Sequence, residues 1–202
     1  GRPYVRVVDY KTGKKSFDYT NVLHGRGLQM LLYLFALVRQ GGHLLHGEPL
    51  PAGVLYFPAR IERVSVRDRL AQAEIEKERR KQLRRSGVLL NSDPVLEAME
   101  PCGGSPRFLP YTLDKEGRKT GDLASFVQLA QLERFVFRTV AALGDELADG
   151  CIDPDPCIRD AKDSACAFCP YSEICAGHEQ PRWLKKITAE EFWQTLERRE
   201  HG

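Results

Sequence analysis

The stretch Leu28–Val38, LQMLLYLFALV, is dense in apolar helix formers, long enough for a helix, and stopped by Gly41-Gly42. Two runs of strand character bracket it. Pro3–Lys11 carries β-branched Val at 5, 7 and 8, and Gly53–Arg60, GVLYFPAR, reads as a short apolar strand of the same sheet. Strand, apolar helix and strand in that order point to an α/β organisation.

The remaining elements are read in the same way. Thr12-Gly13-Lys14-Lys15 is a turn, and residues 68–85 form a strongly charged helix ended by Ser86-Gly87. Asn91-Ser92-Asp93-Pro94 starts another helix, with Asn or Ser capping and Pro94 in the first turn. Residues 102–121 are loop with one short strand around Phe108 to Leu113. Asp122–Leu147 is a helix, with Leu123, Phe126, Val127 and Ala130 giving the three- and four-residue spacing, and Gly150 ends it. A Cys/Pro/Asp-rich segment without periodicity follows. A tail helix over Ala189–Arg199 would dock through Phe192, Trp193 and Leu196. The expected division is a core over residues 1–150 and a cysteine-rich C-terminal segment over residues 151–202.

With 202 residues, 42% apolar and 29% charged, the chain can bury a core. No run approaches a membrane span and no signal peptide is visible, so a cytoplasmic protein without membrane contact is expected. The chain opens on Gly rather than Met, almost inside a strand, as a fragment of a longer product would. Net charge is only +2, but residues 76–85, EKERRKQLRR, hold six basic against two acidic side chains. Such a run is either a solvated helix face or a contact with DNA backbone.

Side chains two apart on a strand share a face, so Asp9 and Lys11 project together while Tyr10 faces the other way. A carboxylate can hold Mg²⁺, and a neighbouring lysine can position or help deprotonate an attacking water and offset phosphate charge. By itself the triplet is also a common surface ion pair. In the following helix Gln29 and Tyr33 are four apart and share a face. They are either a hydrogen-bonded buried tyrosine with a helix-start glutamine, or a polar pair aimed at an active-site edge.

Of six cysteines, at 102, 151, 157, 166, 169 and 175, five lie in the last quarter of the chain. Clustering of this kind argues for a metal or cluster site in a reducing compartment rather than a disulfide framework. Cys166, Cys169 and Cys175 form C-x2-C-x5-C; zinc and an iron–sulfur cluster suit these thiolates equally, and each normally takes four ligands. His24, His43, His46 and His178 are scattered and are assigned no catalytic part.

VVDYKTG followed by QMLLY resembles the RecB-like branch of the PD-(D/E)XK nucleases, where a D-Y-K-like strand precedes a Q-x-x-x-Y helix. With AGVLYFPAR, KQLRRSGVLLNSDPVLEAM and CAFCPYSEIC added, most of the chain is similar to the C-terminal nuclease domain of AddB-type helicase-nuclease subunits. The resemblance implies a partial restriction-endonuclease-like core, a small mixed sheet flanked by helices, with helical insertions and the cysteine-rich end. It implies Mg²⁺-dependent exonuclease action on DNA in double-strand break repair, beside an AddA-type helicase-nuclease subunit. Asp9 would be the second metal carboxylate and Lys11 the catalytic lysine. Val8 or Tyr10 would lend a backbone carbonyl to the ion, and Gln29 and Tyr33 would support the active-site edge. Cys166, Cys169 and Cys175 would be three ligands of a [4Fe-4S] cluster clasping the end of the chain.

In that family an earlier acidic ligand, in a G-x-x-D-R-x-D-like segment, and a fourth cysteine lie before the strand. The chain opens at GRPYVRVVDYK, so it is expected to be nearly inactive alone and prone to lose its cluster. Two other readings stand beside this one: a DNA-binding, complex-stabilising module without significant cleavage, and a zinc-binding interaction domain.

Overall fold

The computed structural model describes residues 1–13, 15–63, 72–159, 164–175 and 181–201. Two compact units divide the chain. One comprises Gly1–Phe17 with Leu28–Glu133, the other Asp18–Gly27 with Arg134–Gly202.

The first unit is built on a four-stranded mixed sheet, as the α/β reading requires. β1 (Tyr4–Lys11) pairs in parallel with β2 (Leu50–Pro58). β2 pairs antiparallel with β3 (Ser86–Leu90), and β3 pairs in parallel with the two-residue β6 (Leu123–Ala124). Among the described residues β1 is thus an edge strand. Between β1 and β2 the chain passes through α1 (Tyr19–Leu23), α2 (Gln29–Gln40) and the single turn α3 (Gly42–Leu45). α2 packs on β1 and β2, and its Leu31, Leu34 and Phe35 are fully buried. Each such side chain contributes roughly 1.5–3 kcal/mol of hydrophobic stabilisation.

The β1–β2 register slips between Val5 and Arg6: Val5 faces Pro51, Arg6 faces Gly53, and Ala52 is the extra residue of a bulge. Gly53 holds a φ of 126°, and a Cβ there would lie 2.2 Å from the Val88 carbonyl oxygen. Only glycine fits both demands. Beyond the bulge Asp9 is paired with Tyr56 and Lys11 with Pro58, so these side chains share one face. Leu55 and Leu89 point to the other face. There they form a core with Leu96 of α5 (Asp93–Met99), Leu109, and Tyr111 of β4 (Tyr111–Leu113). The Glu100 carboxylate accepts hydrogen bonds from the backbone N–H groups of Arg107, Phe108 and Leu109 and so closes the loop leading into β4.

Several boundaries differ from those read in the sequence. Ser86-Gly87 does more than end the charged helix α4 (Gln72–Gln82); it begins β3, because Gly87 lets the β2 backbone approach closely. Residues 68–71 of the expected helix, Lys14 of the turn, and His178 lie outside the described residues. The 102–121 region holds a hairpin of β4 with β5 (Lys119–Gly121) rather than one strand. Asp114 makes its turn by accepting from the N–H groups of Glu116 and Arg118. The long helix α6 (Phe126–Ala148) starts four residues late, since Leu123 belongs to β6. Ser125 and Gln128 fix the start by a reciprocal capping box: Gln128 N–H donates to Ser125 Oγ at 3.1 Å, and Ser125 N–H to Gln128 Oε1 at 2.8 Å.

In the second unit Asp18 caps α1 through Asn21 N–H and pairs with Arg159. α7 (Ala189–His201) begins with its own capping box, Thr188 with Glu191. Phe192, Trp193 and Leu196 are its buried face, as expected. Phe192 lies 5.1 Å from Tyr19 and 6.4 Å from Phe135, ring centre to ring centre. The Cys/Pro/Asp-rich segment is not wholly irregular: β7 (Cys157–Ile158) and β8 (Arg182–Trp183) pair in parallel. Among the described residues no helix is long and apolar enough to cross a membrane.

Candidate active site

At the C-terminal end of β1, Lys11 Nζ lies 2.7 Å from Asp9 Oδ2, with the lysine side chain 39% and the carboxylate 28% exposed. The hydrogen bond to Asp9 raises the Lys11 pKa; partial desolvation opposes it, and the Asp9 and Tyr56 charges reinforce it. Lys11 is therefore a firmly protonated cation at neutral pH. It can donate to an anionic oxygen or to water but is not poised as a base.

Tyr56 shares this face. Its hydroxyl pKa is raised by partial burial and then by the Asp9 charge, with Lys11 opposing. The residue escaped the sequence reading because its place beside Asp9 depends on the bulge at Ala52. Counted without the bulge, Leu55 would stand there.

Tyr10 points to the opposite face, 70% exposed, with its ring 5.4 Å from that of Phe57. Its backbone is more informative. The Lys11 carbonyl accepts from Ala59 N–H at 2.8 Å. In a parallel pair alternate residues address the neighbouring strand, so the Tyr10 carbonyl is directed off the β1 edge, away from β2. The same parity applies to Val8.

Gln29 and Tyr33 bond to each other, Gln29 Nε2 donating to the Tyr33 hydroxyl at 3.1 Å, and neither bonds to Asp9 or Lys11. Tyr33 is 54% exposed, so the alternative of a buried tyrosine does not hold.

Beside Lys11 opens a pocket of about 290 Å³, walled by Tyr56 and Phe57 and rimmed by Lys15, Arg60, Lys81 and Arg84. The Arg84 guanidinium is anchored on the Tyr111 carbonyl at 3.2 Å.

For a divalent cation, the donors at hand are the Asp9 carboxylate and the Tyr10 carbonyl. Mg²⁺ commonly takes one or two carboxylates, phosphate oxygens and several waters. Both of these oxygens are hard donors of the kind that ion takes. Among the described residues no group of three or more His, Cys, Asp or Glu is arranged to hold a metal ion. Cys166, Cys169 and Cys175 are half-buried thiols on successive tight turns, with Cys169 N–H donating to Cys166 O and Cys175 N–H to Tyr171 O. Cys157 meets the start of this segment, its carbonyl accepting from Ala165 N–H at 3.4 Å. Cys102 instead donates to Gly104 O, and Cys151 is exposed.

The family model of the PD-(D/E)XK nuclease superfamily matches residues 1–176. The chain belongs to the PD-(D/E)XK nuclease superfamily. Its superfamily relatives include proteins named as a subunit of an ATP-dependent helicase/deoxyribonuclease. That of Moorella thermoacetica is 35% identical over 179 residues, covering 87% of this chain and 16% of the relative. Those of Symbiobacterium thermophilum and Clostridium perfringens are 33% and 30% identical, covering 97% and 100% of this chain. They are matched over only 17% and 18% of their own lengths, so the chain spans about a sixth of these PD-(D/E)XK relatives.

Proposed function

We propose that this chain is the phosphodiester-cleaving domain of a DNA helicase-nuclease subunit. The observation that carries the reading is the Asp9–Lys11 pair on one face at the end of an edge strand, opening into a pocket rimmed by cations.

Bound Mg²⁺ would supply charge neutralisation and an activated water. Asp9 and the Tyr10 carbonyl would hold it from the chain's side. Lys11, protonated, would donate to the non-bridging phosphate oxygen and offset the charge that builds up in the transition state. Tyr56 would orient the same oxygen or the water. Gln29 and Tyr33, locked to each other, would stiffen the start of α2 and border the DNA path.

The role extends to exonuclease action on DNA at double-strand breaks, in the cytoplasm, beside an AddA-type partner subunit. The similarity to proteins named as helicase/deoxyribonuclease subunits supports this reading. Cys166, Cys169 and Cys175 are proposed ligands of a [4Fe-4S] cluster that clasps residues 151–202. Iron analysis with visible absorption, set against zinc analysis, tests the metal.

A second reading, a DNA-binding and complex-stabilising module with little cleavage, is supported by the cations that rim the pocket beside Lys11. One experiment separates the two. The full-length subunit with its partner is given an unwound duplex and Mg²⁺, wild type against Asp9→Ala. Cleavage lost by at least about 100-fold in the variant supports catalysis, as removal of one metal-holding or charge-stabilising group commonly does. Undiminished cleavage rejects it, and an inactive wild type supports the module.

A further inference from the structure

We propose that Lys15, Arg60, Lys81 and Arg84 form a track that binds the DNA backbone at phosphates flanking the one held at Asp9 and Lys11. The inference rests on the nuclease reading and names a substrate subsite for it.

The cations come from separate parts of the chain: the turn after β1, the exit of β2, and the last turn of α4 with the residues that follow it. A helix face that is merely solvated would need only α4. Here distant segments converge on one depression that begins at Lys11. Glu62 is the one carboxylate among its lining residues. Glu78 pairs with Lys81, but neither Lys15 nor Arg60 has an ion pair among the described residues. Glu62 and Glu78 offset only part of this positive charge, and a polyanion would relieve the repulsion that remains.

The track also continues. A second depression of about 360 Å³ shares Lys81 and Arg84 with the first and extends to Lys77, Arg80 and Arg107, with Glu76, 4.0 Å from Arg80, as the one carboxylate among its lining residues. Arg84, fixed on the Tyr111 carbonyl, stands at the junction. The surface is open and cationic, with the aromatic walls Tyr56 and Phe57 at its inner end. These features suit a sugar-phosphate backbone followed along its length, without sequence discrimination.

The test uses the full-length subunit with its partner and a fluorescent oligo(dT) strand, with affinity measured against salt in the Asp9→Ala background. Each phosphate contact to a single strand contributes about 0.7 to the slope of log affinity against log salt. Lys15→Ala/Arg60→Ala should lower the slope by about 1.4, weakening binding about 25-fold at ~0.1 M salt. The variant should then lose about sevenfold less affinity than its parent over a fourfold rise in salt. Lys15→Arg/Arg60→Lys should restore the slope, because charge rather than shape is recognised. Arg118→Ala, at a hairpin turn where Asp114 and Glu116 hold it, should leave the slope unchanged.

An unaltered slope in Lys15→Ala/Arg60→Ala overturns the track, and so does retained oligonucleotide binding with lost partner assembly. Cleavage that persists in Asp9→Ala overturns the nuclease reading instead, and the two failures are told apart.

Discussion

Replacing Gly87 by Ala should destabilise the sheet at its centre. An ideal Cβ at Gly87 would stand 1.9 Å from the Val54 carbonyl oxygen and 3.0 Å from Leu55 Cα. Ordinary contact begins near 3.4 Å, so β2 and β3 must separate locally by about 1.5 Å. Both neighbours are backbone, and no rotamer change can move them aside. At that spacing about two ladder hydrogen bonds lengthen beyond useful geometry, at about 1 kcal/mol each. Leu55 and Leu89, both fully buried, lose part of their packing, adding about 2 kcal/mol. The expected loss is thus about 4 kcal/mol, large against the 5–15 kcal/mol or so of a whole domain. Chemical denaturation followed by far-UV circular dichroism reads it as a lowered midpoint with an unchanged slope. Because Gly87 faces Leu55, next to Tyr56, cleavage by the full-length protein should fall as well. A midpoint within about 1 kcal/mol of wild type would refute the steric argument.

Gly144→Ala is the contrasting case. This glycine lies inside α6 with nothing within 4 Å of an added Cβ, so the change should stabilise by roughly 0.5–1 kcal/mol, read in the same melt. Phe192→Ala, emptying the ring cluster with Tyr19 and Phe135, should cost about 3–5 kcal/mol in denaturant titration. His24 is held below its ordinary 6.5 by partial burial and by Arg182, Arg199 and Arg26. Its depressed folded-state pKa means that the unfolded chain binds more protons once pH falls below about 6.5. Stability should be full above that value and decline as pH falls toward the folded pKa. Denaturation midpoints across this range should show the decline, and His24→Gln should flatten it.

Elements defined by their own periodicity were legible in the sequence. The Val-rich strand ending at Lys11, the apolar helix around Leu31–Phe35 and the tail helix carrying Phe192 all fall where the pattern puts them. β3 was hidden because Ser86-Gly87 carries a turn signal, yet the glycine serves close strand approach. β6 was hidden because two residues carry no period, and the Ser125–Gln128 capping box that separates it from α6 sits within an apolar stretch. At the site, Asp9 and Lys11 could be placed on one face from the pleat alone. Tyr56 could not, since a register slip sets its position. Lys15, Arg60 and Arg84 could not either, since only tertiary folding assembles them around one pocket.

The slip at Ala52 makes the strand pair a two-phase device. Residues before it and after it are read in opposite parity, and the site belongs to the second phase. Substituting Ala52 would leave that phase intact. Deleting it would remove the bulge and still leave Tyr56 opposite Asp9, whereas flattening the bulge with Ala52 kept in the ladder would shift the rest of β2 by one step, bringing Leu55 against Asp9 and turning Tyr56 toward the opposite core. With Ala52 present, what this segment must preserve is therefore the bulge itself, more than the residue that occupies it. A chain of unchanged sequence whose strands paired there without the bulge would keep every chemical group of the site and still present the wrong ones to the substrate.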